Sequence, residues 1–181
     1  MTELFIHACQ SGKLEDVQKL LEDLKKINET INVKNSFGRT GLHMAVESDK
    51  YQIVEFLLKN DSNVNVADGH NTTPLHISSQ YALVRITELL LANNASTNLL
   101  DNDQNTPLYC CAFGGDTSDH VEVARLLLSA DPSAIHIPGY EDIHEEGKMK
   151  KVLRTPYETA VDKCHNKIAK LISEHSNHHQ S

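Results

Sequence analysis

The side chains here that could do chemistry are histidines, cysteines and neighbouring carboxylates. His43 and His76 each follow a leucine, in "RTGLHMAVE" and "TTPLHISSQ". A neutral imidazole is a ready general base or metal ligand. At the matching place in "NTPLYCCAF", however, stands Tyr109, which a base required in every copy would not allow. Cys110 and Cys111 are adjacent, so they splay apart on a helix, and without a C-x-x-C pairing they make poor joint metal ligands or redox partners. Cys9 and Cys111 fall where the local pattern wants small buried residues. Cys164 falls in an expected turn as an ordinary exposed thiol. His175, His178 and His179 could hold a transition metal weakly, but no thiol or carboxylate cluster accompanies them. Glu145 and Glu146 lie in a charged segment where solvated carboxylates are expected. No glycine-rich phosphate loop, G-x-S-x-G elbow or H-E-x-x-H pair occurs. The expectation is therefore a protein that is not an enzyme and has no catalytic residue, no cofactor and no metal.

Bulk properties narrow the class further. The chain has 181 residues, 39% hydrophobic and 23% charged, which suits one domain with a sizeable core. A net charge of −8 argues against nucleic acid or an anionic membrane as partner. No apolar run reaches the roughly 18 residues of a membrane span, and "MTELFIHACQ" lacks the features of a secretory signal. The four cysteines make no disulfide framework. A cytoplasmic protein is expected.

What positions these residues is a repeat. Thr40, Thr73 and Thr106 recur every 33 residues, and Thr155 begins a further copy. Threonine at such a place caps the orphan amides of a helix start, and the proline after it tolerates the first helical position. The first helix of each copy carries small residues that permit close approach: Ala8 and Cys9, Ala45 and Val46, Ser78 and Ser79, Cys111 and Ala112, Ala160 and Val161. The second is apolar at helical spacing, as in Ile53, Phe56 and Leu57 or Ile168, Leu171 and Ile172. Segments such as "NDSNVNVADGHN" then read as a helix stop and a tight turn. A cruder copy with Glu3 in the threonine place starts the chain. The units run approximately 1–34, 35–67, 68–100, 101–137 and 150–175, within a single domain of 1–175. A long inserted loop is expected at 138–153 and a flexible tail at 176–181. The second helix of the first unit is expected to run a turn longer, and the short insertion "GGDTSD" is read as tolerated surface variation.

With "TGLHMAVESDKYQIVEFLLKNDSNVNV", "TPLHISSQYALVRITELLLANNASTNL" and "TPLYCCAFGGDTSDHVEVARLLL", the chain resembles the ankyrin-repeat family. The resemblance implies an all-α ankyrin-repeat solenoid of stacked helix-turn-helix units with projecting β-hairpin-like loops. It also implies that His43 and His76 hydrogen-bond locally and brace a loop. The pattern's glycine after the second helix is replaced by Asp61 and Asn94, and its turn glycine, present as Gly38, becomes Asn71 and Gln104. Polar residues are expected to close the stack: Glu15, Asp16, Gln18 and Lys19 at one end, Lys163, Asn166, Lys167 and Lys170 at the other, giving a complete, capped domain.

The resemblance further implies binding through loop tips and the exposed side of the first helices. Those positions are Ser36, Phe37, Arg39, His70, Thr72, Asn102, Asp103 and Asn105 on the loops, and Glu47, Ser48, Gln80, Tyr81 and Phe113 on the helices. Phe37, Tyr81 and Phe113 are aromatic anchors of the kind in which binding energy concentrates. Glu47, Asp101 and Asp103 favour a partner segment with basic and apolar residues. The expected function is a monomeric, non-catalytic module that binds an unidentified partner protein, as adaptor or competitive inhibitor. The alternatives are a bacterial or viral effector that mimics such inhibitors, an enzyme, or an enzyme's regulatory subunit. Asn65 and Asn98 occupy a position that is hydroxylated in some ankyrin repeats.

Overall fold

The computed structural model describes residues 1–145 and 148–178. Its helices come in pairs: α1 (Thr2–Ser11) with α2 (Leu14–Lys26), α3 (Gly41–Glu47) with α4 (Tyr51–Lys59), α5 (Pro74–Gln80) with α6 (Val84–Ala92), and α7 (Pro107–Gly114) with α8 (Ser118–Ala130). A 3-10 turn (Pro132–His136) and the strands β1 (Gly139–Glu145) and β2 (Lys148–Arg154) precede the last pair, α9 (Pro156–Asp162) and α10 (Asn166–His178). The chain forms two compact units, one of Met1–Ser78 and Arg85–Ala95, the other of Ser79–Val84 and the residues from Ser96 onward.

In the first unit, α1 packs on α3 and each packs on its own partner helix. Phe5, Leu24, Leu42, Ile53 and Leu57 are fully buried there. The small residues earn their place: a Cβ on Gly41 would lie 2.7 Å from the Cys9 sulfur. Helix α2 is 13 residues long where α4 is 9, the extra turn read from the sequence. In the second unit α7 packs on α8 and α9, and α8 on α10, around Leu108, Cys111, Leu127, Leu128 and Ile168.

The projecting fingers share one mechanism. Asn35, Asp68 and Asp101, also 33 residues apart, each hold a turn with one side-chain oxygen. Asn35 Oδ1 accepts the amides of Phe37 and Arg39 at 3.0 Å, Asp68 Oδ1 those of His70 and Thr72 at 2.8 and 3.0 Å, and Asp101 Oδ1 those of Asp103 and Asn105 at 2.9 and 2.8 Å. Gly38, Asn71 and Gln104 take the left-handed position (φ 75°, 57° and 62°). Asp61 and Asn94 do the same at the helix ends (φ 64° each). Non-glycine residues at these places cost something, and the side-chain-to-amide bonds offset it.

Several expectations need correction. The segment 138–153 is a β-hairpin and not an inserted loop. Its strands run in antiparallel register with Asp142 opposite Lys151, so one pair of opposite charges meets there across the ladder. The tail expected from 176 continues α10 through His178, and Ser176 Oγ donates to Ile172 O at 3.2 Å. Glu146, His179 and the final two residues lie outside the described residues. The insertion "GGDTSD" is structural: Thr117 caps α8 by accepting the His120 amide at 3.2 Å, and the Asp116 carboxylate accepts the amides of Lys167 and Ile168 at the start of α10, both at 3.0 Å. Each such cap is worth about 1 kcal/mol. Nor is the C-terminal face wholly polar. Leu153, Tyr157 and Val161 are exposed there, although Tyr157 and Val161 occupy the places that Leu42 and Val46, and Leu108 and Ala112, bury in other copies.

Candidate functional site

After α1, whose start lacks a side-chain cap, the first helix of each pair is held at its start by a threonine and by the residue three places on. The Thr40 amide donates to Nδ1 of His43 at 3.2 Å, which leaves the proton on Nε2 to be donated to the Thr72 carbonyl at 3.1 Å. His43 thus ties its helix to the next finger as a neutral ring, and burial holds its pKa below the ordinary histidine value. Thr73 and His76 repeat the local bond at 3.2 Å. Tyr109 and Glu158 take the place in the later copies: the Tyr109 amide donates to Thr106 Oγ1, and the Glu158 carboxylate accepts the Thr155 amide at 2.7 Å. A third buried histidine, His120, accepts from Thr117 and donates to the Gln80 carbonyl at 3.2 Å; burial lowers its pKa too.

The cysteines are equally structural. Burial pushes the Cys9 and Cys111 thiols up to about 12 and raises Cys110 as well. Thiols so far from ionisation are inert. Cys164 is exposed in a turn at φ 60°.

Sequence-selected positions fall in both units. In the first, Ser36 and Phe37 project from a finger tip, with Phe37 71% exposed. Arg39 Nη1 binds both Glu47 oxygens at 2.9 Å and its Nε reaches Asp68 at 3.3 Å. His70 and Thr72 give their amides to Asp68, and Ser48, half-buried, ends α3. Adjacent fingers are joined where the Gly69 amide donates to Phe37 O at 2.9 Å. Asn65 Nδ2 donates to Asn94 O at 3.3 Å.

In the second unit the hairpin takes the part of a finger. The Tyr140 amide donates to Asp103 O at 2.8 Å, the counterpart of the Gly69 bond. Gly139 fits because a Cβ there would lie against Asn105 Oδ1. Arg154 likewise repeats Arg39: it pairs with Asp162 of its own first helix and lies 3.7 Å from Glu141 of the hairpin. Lys151 binds Asp103 at 2.6 Å, which raises the lysine above its usual range.

The hairpin thereby walls a cleft of about 350 Å³ that gathers Gln80, Asp103, Asn105 and Phe113 from the sequence-selected set. Tyr81, 55% exposed, and Asn102 lie outside its lining. Asp101, Tyr109, Cys110, Tyr140, Glu141, Asp142 and Lys163 complete it, and except for Asp101 the sequence reading had not placed them there. The acid-then-base order of 141–154 was the signal that could have found the wall. Inside, Lys163 Nζ sits 4.5 Å from the centroid of Phe113 and 2.5 Å from Glu141 Oε1. Burial raises the Tyr109 hydroxyl above its ordinary range.

The negative charge expected to draw a basic partner is partly used at home: Glu47 by Arg39, Asp103 by Lys151, Asp101 by turn amides. No three His, Cys, Asp or Glu side chains converge as a metal site, and no helix is long and apolar enough to cross a membrane, among the described residues.

Comparison with known families gives one match. A model described as Ankyrin repeats, in three copies, matches residues 4–101 and 67–138. The hairpin and the last helix pair lie beyond that span. No curated protein matches the chain significantly.

Proposed function

The chain belongs to the ankyrin-repeat family, whose repeats are generally protein-protein interaction modules and typically non-catalytic, and on that premise we propose that it binds a partner protein through the cleft between α7 and the hairpin. The observation that carries this reading is the exposure of two aromatic rings, Phe113 and Tyr140, at 42% and 41%, in the lining of a concave surface whose floor is otherwise polar. Aromatic side chains offer a large contact area at small entropic cost, and truncating such an anchor typically costs about 2 kcal/mol or more of binding. Action is by occupancy, as adaptor or competitive inhibitor, in the cytoplasm and as a monomer. Phe37 and Tyr81 are secondary contacts, each on the surface of its own unit.

The test compares affinity capture by the wild-type chain with capture by Phe113→Ala/Tyr140→Ala. Specific partners should be lost while the thermal unfolding transition moves little, since both rings are already half in solvent. Retention of the same partners by the double variant, with Phe37→Ala instead abolishing capture, would move the site to the fingers of the first unit.

A further inference from the structure

The cleft already contains a clue to what it receives. Among its lining residues, Asp101, Asp103, Glu141 and Asp142 are acidic and Lys163 is the one cation. That ammonium is seated on the face of Phe113 and against Glu141, so the chain itself fills the place with a positive group. The seat is built for charge: Glu141 is only 9% exposed, and its Oε2 has no hydrogen-bond donor in range, with Arg154 Nε at 3.7 Å. A buried carboxylate with an open acceptor gains from a further donor. Lys163 stands at the C-cap of α9 with its side chain 35% exposed, so its ammonium has a route to solvent once another cation takes its place.

Resting on the reading of this cleft as the partner surface, we infer that it takes a cationic side chain, arginine or lysine, from an extended partner segment, which displaces Lys163 from between Phe113 and Glu141. Tyr140 on the opposite wall and the exposed Asp142 complete the seat, the first for apolar flanking residues and the second for the charge. The complementarity is electrostatic: Glu141 and Asp142 line the cleft, Asp103 beside them is shared with Lys151, and the cation to be displaced is the chain's own. Arginine fits best, because its planar fork can lie over a ring and bind a carboxylate at once.

The experiment uses two probes on the whole chain: the peptide acetyl-Gly-Leu-Arg-Leu-Gly-amide and its citrulline counterpart, which keeps the shape and removes the charge. Affinity is read by calorimetry and the site by amide NMR shifts. The arginine peptide should bind about tenfold tighter than the citrulline peptide, with shifts at Gln80, Asp103, Phe113 and Tyr140. Lys163→Met should tighten arginine binding severalfold, because it removes the internal competitor. Glu141→Gln should weaken it, and so should Asp142→Asn, an exposed position that serves as the second variant where Glu141→Gln fails to fold. Equal binding of the two peptides, no binding of either, shifts confined elsewhere, or weaker binding by Lys163→Met would each overturn the inference. These results are separable from the broader reading: loss of capture in Phe113→Ala/Tyr140→Ala with no preference for arginine leaves the partner surface and removes the cation seat.

Discussion

Gly114, the last residue of α7, sits where a methyl group has no room. A Cβ there would lie 2.3 Å from the carbonyl oxygen of Gln80 and 3.0 Å from Nε2 of His120. Helix propensity alone says that Gly114→Ala stabilises the chain by up to about 1 kcal/mol. Against this stand two costs. Pushing back a backbone carbonyl is overpacking, about 1–3 kcal/mol. Losing the His120–Gln80 hydrogen bond, 3.2 Å long, adds about 1 kcal/mol. The packing terms win, and a net destabilisation of about 2 kcal/mol is expected, or a drop in Tm of roughly 4–8 °C for a chain of this size. Urea unfolding followed by circular dichroism should show a lower midpoint with an unchanged slope. In a His120→Ala background the same substitution should cost less, because one of the two obstacles is gone. A midpoint at or above that of the wild type would refute the reasoning, since propensity would then have outweighed the contact.

Other outcomes follow from the same geometry. His43 and His120 are buried with lowered pKa values, so the unfolded chain binds more protons near pH 6; stability should be full above the ordinary histidine pKa and fall as pH drops from there through the native values, and a flat profile between pH 7 and 5 would contradict the buried neutral rings. Asp116→Ala should cost about 1 kcal/mol by uncapping α10, visible as faster amide exchange at Lys167 and Ile168. Alkylation by N-ethylmaleimide at pH 7.5 should modify Cys164 quickly and spare Cys9 and Cys111 until the chain is denatured, as peptide mass spectrometry can read.

Much of the fold was legible because its rules are local. A threonine cap, a following proline and a small-residue pair announce a helix start whatever surrounds them, and the 33-residue spacing repeats the announcement. The hairpin was not legible in that way. Its strands carry few β-branched residues, and what places them is the Asp142–Lys151 pair together with docking on Asp103, contacts between residues about 40 positions apart. The same reason hid half of the cleft. Gln80, Asp103, Asn105 and Phe113 follow from repeat position, whereas Tyr140, Glu141 and Lys163 enter only once the hairpin stands beside α7. The turn anchors Asn35, Asp68 and Asp101 were in plain view at the repeat spacing, but their role becomes evident only when two amides are seen to converge on each.

A two-stranded ribbon has two edges, and β2 is one of them. Its peptide groups form a template on which a stray extended chain could add itself, the first step of polymerisation. Lys150 and Lys151, both exposed, spread positive charge along that edge and repel a second copy of the same strand. Neutralising that charge would make a concentrated solution of the protein prone to fibres.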